Sequence, residues 1–505
     1  MNNKLQSVKL SPRQRGDFQT PEALAQLVWK TLDPSQFDLI IEPTFGKGSF
    51  LSTLPDTASG AILGWEIDQD HFEQTKVALH SHPKSGQMRL SLGDIFKIDQ
   101  NDVSVDATSR VLVIGNPPWV TNSEQSSLGS LNTGTKRNLK SLSGLEAKTG
   151  KANFDISEAI ILHLIEVLKN AKLVQFALLG KFIVLRNLLQ FLRAKTQVGD
   201  FEFHRIDALK HFGAAVDAGL IKFKVGRSVR SESVCQIFAS VGGRLEREVG
   251  LLNGRFVYDV TSYNRNAFLE NTSLPAYIWR QGIKHDLGDI LELTQENGFL
   301  VNRLGEKVEV EPQTLFYLHK SSDIFHGRPA RFLIPIYQRD LKDTLDDLPQ
   351  RYPLLHSYLM KHQEAFVSRK SSIYRNKSPF TLFGIGEYTH SSFKIAVGGL
   401  YSNPVFRLLQ TGEYPVAVDD TSYAISTNDH EEANYIFAVL NLEKTTEFLK
   451  SISYPKDKRT FSKEVLSRVC IPSFTEVPEE LRKNLNNAGR LTEWLAQYQK
   501  QALLF

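Results

Sequence analysis

Between Phe37 and about Gly242 short apolar runs alternate with stretches of helical periodicity, and this alternation restricts the possible folds more than any other feature of the chain. The runs FDLIIEP, AILGWEID, MRLSLGD, RVLVIGNPP, KLVQFALLG, EFHRIDAL, GLIKFKV and VCQIFASV read as strands. Helical patterns separate several of them. The clearest is FDISEAIILHLIEVLKN, where Ile160, Leu164, Val167 and Leu168 share one face at spacings of three and four. Strands alternating with helices build an α/β fold with a mostly parallel sheet covered on both faces. Ligands bind such sheets beyond the carboxyl ends of the strands, so residues at those ends carry the functional information.

The rest of the chain sets the frame. A length of 505 residues suggests two or three domains. The alternation fades after Arg244, and a boundary is expected between there and Ala276, giving domains over 1–245 and 276–505. EEANYIFAVLNLEKTTEFLKSI and AGRLTEWLAQYQKQALL read as helical in the second half. The polar segment from Val120 to Lys151 is rich in Ser, Gly, Asn, Thr and Lys; a loop of that length inside a domain is either functional or disordered. Its start directly after a strand end favours function. A formal net charge of +4 permits a nucleic-acid partner without demanding one. Cys235 and Cys470 lie far apart in apolar segments without metal-site spacing, so both are expected to be buried and inert. Nothing reads as a signal peptide or a membrane span, and a cytoplasmic protein is the default expectation.

Three strand ends carry acids. In DLIIEPTFGKGSFL a strand ends in Glu42, a tight turn holds Gly46 and Gly48, and a helix starts at Ser49. Glycines there let backbone approach a ligand, and the carboxylate can hold a cationic or hydrogen-bonding group, although a plain strand-to-helix turn has the same signature. Glu66 closes the next strand 24 residues later, placed to accept the hydroxyls of a ribose. Asp68, beside it, is suited to cap the following helix. Asp94 ends the third strand and suits an adenine amino group. Three acids at three successive strand ends are far more specific than one.

The fourth strand, RVLVIG, runs into Asn116, Pro117, Pro118 and Trp119. Prolines fix the backbone and donate no hydrogen bond, so the carbonyls of this turn and the side-chain oxygen of Asn116 form a rigid set of acceptors. Such a set suits an amino group that must lose a proton, and Trp119 offers a flat face for a base.

With these motifs in order, residues 17–242 resemble the catalytic domain of the gamma class of S-adenosylmethionine-dependent DNA adenine N(6)-methyltransferases, the Taq-type enzymes of restriction-modification systems. Thr20 and Pro21 of DFQTPEALAQLVWK match the Thr-Pro that precedes the glycine loop in that family, and Thr20 is also a plausible helix N-cap. The resemblance implies a Rossmann-like class I methyltransferase domain with a mixed, mostly parallel seven-stranded sheet, followed by an α+β target-recognition domain. It places Thr20, Glu42, Gly46 and Gly48 around the methionine part of S-adenosylmethionine, Glu66 and Ile67 at its ribose and adenine, and Asp94 and Ile95 at the adenine ring. Asn116 and the Pro117 carbonyl would accept from the amino group of a flipped adenine, with Pro118 stiffening the turn and Trp119 stacking. Phe212 best matches the later aromatic that helps hold the target base, with a core phenylalanine as the alternative. The chemistry needs no metal. Double-stranded DNA, a possible companion restriction endonuclease and a monomeric state are implied as partners and assembly.

In the second half, residues 351–402 carry seven Lys or Arg against two Glu, interleaved with aromatics, a composition that fits contact with phosphates and base edges. Residues 453–466 are a weaker candidate. WRQGIKHD, FGIGEYT and DDTSYAI resemble segments of enzymes from restriction-modification loci. Competing readings are a methyltransferase acting on RNA or on a protein glutamine, which usually lacks a C-terminal domain of this size, and a DNA-binding specificity protein with an inactive methyltransferase fold, which the intact acids disfavour. A fused nuclease is not expected, since the motifs begin within twenty residues of the start and no Asp…Glu-x-Lys cluster follows.

Overall fold

The strand Leu39–Glu42 (β1) is buried at every position, as a strand sandwiched in the middle of a parallel sheet requires. Parallel neighbours flank it, β2 (Ala61–Glu66) on one side and β4 (Arg110–Gly115) on the other. β3 (Met88–Leu92) pairs in parallel with β2, and β5 (Leu173–Lys181) with β4. β7 (Ala218–Val225) inserts antiparallel between β5 and β6 (Val198–Ile206). The run β6-β7-β5-β4-β1-β2-β3 is therefore the mixed, mostly parallel seven-stranded sheet expected, and β8 (Val234–Phe238), β9 (Leu245–Leu252) and β10 (Arg255–Val257) extend it to ten strands. β9 gives little sequence signal because its first half, LERE, is charged and lies at the surface.

These strands belong to a computed structural model that describes residues 18–120, 155–192 and 197–502. The chain divides into two compact units, Met1–Val260 and Thr261–Phe505. The polar segment anticipated from Val120 to Lys151 lies outside the described residues except at Val120 itself. No described helix is long and apolar enough to cross a membrane.

Helices α1 (Glu22–Trp29), α2 (Ser49–Ser52), α3 (Gln69–Ala78), α4 (Ile156–Val167), α5 (Phe182–Leu192) and α6 (Ala208–Phe212) cover the sheet. Leu24, Val28 and Trp29 of α1 join Phe50 of α2, Ile40, Ile62, Leu112 and Ile114 in one apolar core. Trp29 also donates its ring N–H to the Phe50 carbonyl at 3.1 Å. Asp68 caps α3 as anticipated, accepting from the His71 N–H at 3.1 Å. Thr20 does not cap α1. The first helical bonds, from the N–H groups of Leu24 and Ala25, end on the Pro21 carbonyl, which makes Pro21 the cap residue with its ring-fixed φ of −62°. Both cysteines are buried.

The second unit is α+β. A four-stranded sheet has the order β11 (Arg280–Gln281), β20 (Ser422–Thr427), β17 (Phe393–Gly398), β18 (Phe406–Gln410). One three-stranded sheet contains β12 (Thr294–Glu296), β13 (Phe299–Val301) and β14 (Lys307–Val308); another contains β16 (Phe332–Pro335), β15 (Leu315–His319) and β19 (Val416–Val418). The segments WRQGIKHD, FGIGEYT and DDTSYAI converge here. Ile283 bridges to Asp419, Lys284 bridges to Phe383, and β11 pairs with β20. EEANYIFAVLNLEKTTEFLKSI forms two helices, His430–Leu440 and Glu443–Ile452, and the last helix spans Ala488–Ala502.

Candidate active site

The carboxyl ends of β1, β2 and β4 lie side by side, which brings Glu42, Glu66 and Asn116 to one edge of the sheet. Glu42 is 2% exposed, and its Oε2 has no hydrogen-bond partner among the described residues. Burial, reinforced by the neighbouring Glu66 carboxylate, holds its pKa well above the ordinary carboxylate range. A buried carboxylate without a partner is costly unless it is neutral or meets a cation.

The turn after β1 bends around Glu66. Gly46, at φ +52°, donates its N–H to Glu66 Oε2 at 2.7 Å, while the N–H groups of Ile67 and Asp68 reach Oε1 at 2.9 and 2.8 Å. Burial raises the pKa of Glu66, and these three donors oppose it. Oε1 thus has both lone pairs engaged, and Oε2 keeps one for a further donor. Gly48 heads α2 at φ +73°, in the left-handed region, and a Cβ there would stand 2.5 Å from Cγ2 of Thr75. Thr75 in turn donates its hydroxyl to the Gly46 carbonyl at 2.9 Å. The N-terminal strap closes over this turn: Ser49 Oγ donates to the Thr20 carbonyl at 2.6 Å, and the Lys47 N–H donates to Gln19 Oε1 at 2.9 Å.

At the end of β3, Asp94 accepts the Phe96 N–H at 3.0 Å and so caps the short 3-10 turn Ile95–Lys97. The Gly93 N–H bonds the Glu66 carbonyl at 2.8 Å, which holds this strand end beside that of β2. Ile67 is 49% exposed, an apolar side chain held at the rim by its backbone bond to Glu66; Ile95 is buried.

β4 ends in Gly115 at φ +149°, where a Cβ would come within 3.3 Å of the Glu42 side chain. Asn116 follows. Its Nδ2 donates to the Phe18 carbonyl at 2.6 Å. A carbonyl only accepts, so this contact fixes which end of the amide is the NH2. Oδ1 is thereby aimed away from Phe18, buried and without a partner among the described residues. Pro117 is buried, and Pro118 half-buried.

Trp119 is 5% exposed and belongs to the core. Its ring N–H donates to the Leu179 carbonyl at 3.3 Å. Phe212 meets it edge-on at 5.0 Å between ring centroids, and Phe18 packs against it at 5.5 Å. Phe18 and Phe212 are themselves 6.0 Å apart, so three rings form one cluster. Beside this cluster the Ile156 N–H bonds the Val120 carbonyl at 3.0 Å, and Asp155 pairs with Lys181 at 2.6 Å.

Every anticipated site residue except Phe212, which ends helix α6 and packs on Trp119, thus lies at or just after a strand end or in the strap and turn that border it. Phe18, Gln19 and Thr75 were not singled out from the sequence. Only the position of Phe18 and Gln19 next to Thr-Pro signalled the first two, and Thr75 had no signal because its partner is 29 residues away.

Residues 6–176 match the model of the N-6 DNA methylase family. Across 490 residues the chain is 31% identical to the type II methyltransferase M.NspV of Nostoc sp., covering 94% of this chain and 99% of that one. Among solved structures, the type IIG restriction endonuclease BpuSI aligns over 96% of this chain and 62% of its own, with 14% identity and a TM-score of 0.37. The 23S rRNA methyltransferase ErmE aligns over 43% of this chain and 71% of its own, with 13% identity and a TM-score of 0.28.

Proposed function

The chain belongs to the N-6 DNA methylases of the type II methyltransferase kind, and from that premise we propose that it moves a methyl group from S-adenosylmethionine to the exocyclic amino group of an adenine turned out of duplex DNA, at a specific sequence and within a restriction-modification system. The observation that carries the catalytic assignment is Asn116 Oδ1, a buried acceptor without a partner among the described residues, whose orientation is set by the Phe18 carbonyl.

The residues present suit the cofactor. Glu42, buried and unpaired at Oε2, would meet the ammonium of its methionine part; the side-chain-free turn at Gly46 and Gly48, together with Thr20, would lie along that part. Glu66 would take the ribose hydroxyls, Ile67 and Ile95 would border the adenine ring, and Asp94 would accept from its amino group. When bound, the cofactor supplies a methyl group on a positively charged sulfur. The adenine amino nitrogen is a weak nucleophile because its lone pair is delocalised into the ring. Asn116 Oδ1 and the Pro117 carbonyl would accept hydrogen bonds from its two hydrogens, favouring a pyramidal nitrogen aimed at that methyl group, which is catalysis by positioning and electrostatics; the methylated nitrogen would then release one of those protons to solvent. Turning the base out costs a few kcal/mol, and Trp119 with Phe212 would return part of this by ring contact.

The order Thr-Pro, glycine turn, strand-end acids, Asn-Pro-Pro-Trp and then a second unit is the gamma arrangement. Residues 276–505 serve as the target-recognition domain. A companion endonuclease cutting the same site, a monomeric enzyme and a cytoplasmic location complete the proposal. DNA from cells expressing the chain should carry N6-methyladenine at one recurring sequence in modification sequencing; methylated cytosine, or unmodified DNA from active expression, would count against it.

A further inference from the structure

The seven basic residues of 351–402 separate into two groups. Arg351 pairs with Asp347 at 2.9 Å and Asp343 at 3.3 Å, and Lys361 pairs with Glu306 at 2.7 Å. Lys394 is 4% exposed, donates to the carbonyls of Thr389 and Ser391, and is pulled down by burial to a pKa of about 8. Arg369 donates to the carbonyls of Phe366, His285, Thr381 and Pro379 at 3.0, 3.2, 3.0 and 2.6 Å. These four serve the fold. Lys370, Arg375 and Lys377 are exposed and have no ion-pair partner among the described residues.

Those three cations stand on one loop, KSSIYRNK, with no acidic residue between Glu364 and Glu387 in the sequence; the fold brings Asp286 towards Tyr374, and that carboxylate is paired with Lys284 at 2.7 Å. The loop is held in shape. Arg369 bonds carbonyls on both of its flanks, at Phe366 before it and at Pro379 and Thr381 after it, while its guanidinium lies 3.5 Å from the centre of the Tyr374 ring. Within it the N–H groups of Tyr374, Arg375 and Lys377 bond the carbonyls of Ser371, Ser372 and Tyr374, and Asn376 turns the chain at φ +62°. Another cationic surface of this unit differs in kind: Arg303, Lys320 and Arg331 surround the Phe332 ring, yet the first two are paired with Glu292 and the third with Asp323.

We propose that the loop 370–377 is a DNA-backbone clamp, in which Lys370, Arg375 and Lys377 contact duplex phosphates; this rests on the DNA methyltransferase reading above. Cations with no protein partner, interleaved with hydroxyl and amide side chains on a braced turn, match what phosphate contacts require. The braced frame means that less conformational freedom is lost on binding.

The test compares full-length wild type, the triple variant Lys370→Gln, Arg375→Gln, Lys377→Gln, and a charge-matched control, Arg328→Gln, Lys342→Gln, Lys450→Gln, made at exposed sites elsewhere in the unit. Binding to a duplex carrying the modified sequence is measured across a salt series. At about 0.9 per phosphate, the log Kd against log salt slope should be shallower by about 2 to 3 in the triple variant only. Its KM for DNA should rise while kcat at saturating DNA and cofactor affinity stay at wild-type values. A triple variant with the wild-type slope, or a control that flattens equally, overturns the clamp while leaving the DNA reading intact. A wild-type chain with no salt-dependent duplex binding overturns both.

Discussion

Glu42→Gln separates a carboxylate kept for a cationic ligand from one that only fills the core. The wild-type side chain is 2% exposed, leaves Oε2 without a partner among the described residues and feels the Glu66 carboxylate, so its pKa in the folded protein lies well above the ordinary value of 4.5. A folded-state pKa raised in this way contributes stability that is fully present below the unfolded value and is lost as pH rises through the folded one. Glutamine keeps the shape and cannot ionise. The melting temperature of wild type should therefore fall relative to that of the variant as pH rises from 5 towards 9, with little difference at the acid end. Cofactor binding should move the other way. A hydrogen bond to a charged partner contributes about 1.5–3 kcal/mol, so the variant should bind S-adenosylmethionine about 10- to 100-fold more weakly. Calorimetry in buffers of differing ionisation enthalpy should also show that wild type releases a proton on binding, because an ammonium beside Glu42 favours its ionised form. Equal affinity of the two proteins, with no buffer-dependent proton release in wild type, would refute the assignment.

Gly48→Ala forces a left-handed φ of +73° on a residue with a Cβ and drives that atom to 2.5 Å from Thr75, whose hydroxyl holds the Gly46 carbonyl. The strain of about 1–2 kcal/mol and the weakened hydrogen bond of about 1 kcal/mol should appear together in denaturant unfolding, along with weaker cofactor binding. Trp119→Ala should cost about 3–5 kcal/mol of stability because the ring is buried, whereas Trp119→Phe should keep most of the packing. With 2-aminopurine at the target position, the fluorescence rise that reports an unstacked base should weaken in both variants; an unchanged signal would confine Trp119 to the core.

The strand ends were legible because β1, β2 and β4 are short apolar runs closed by a polar residue, and a parallel sheet necessarily gathers such ends at one edge. The mostly parallel sheet was legible from the same runs and the helices between them, whereas its seven-stranded form came with the family resemblance; its continuation through β9 was not legible, since a strand whose first half is charged shows no alternation. The contact between Asn116 and Phe18 spans 98 positions and runs through a backbone carbonyl, which no side-chain pattern can announce. The flat face of Trp119 was legible from its place after two prolines, but its burial was not, because the Phe18 and Phe212 rings packed against it come from elsewhere in the chain. The basic run of 351–402 concealed a similar division, because composition cannot tell a guanidinium that bonds four carbonyls from one that faces water.

The central claim is that Asn116 Oδ1 accepts a hydrogen of the adenine amino group during methyl transfer. Single-turnover transfer of radiolabelled methyl to duplex DNA, with the labelled nucleoside identified by mass spectrometry, tests it directly. Wild type should yield N6-methyladenine alone. Asn116→Ala should lose at least about 100-fold in the transfer step, in line with the removal of one preorganised group in other enzymes, while its affinity for S-adenosylmethionine stays near wild type. Label in cytosine, or an Asn116→Ala enzyme that transfers at the wild-type rate, would contradict the account.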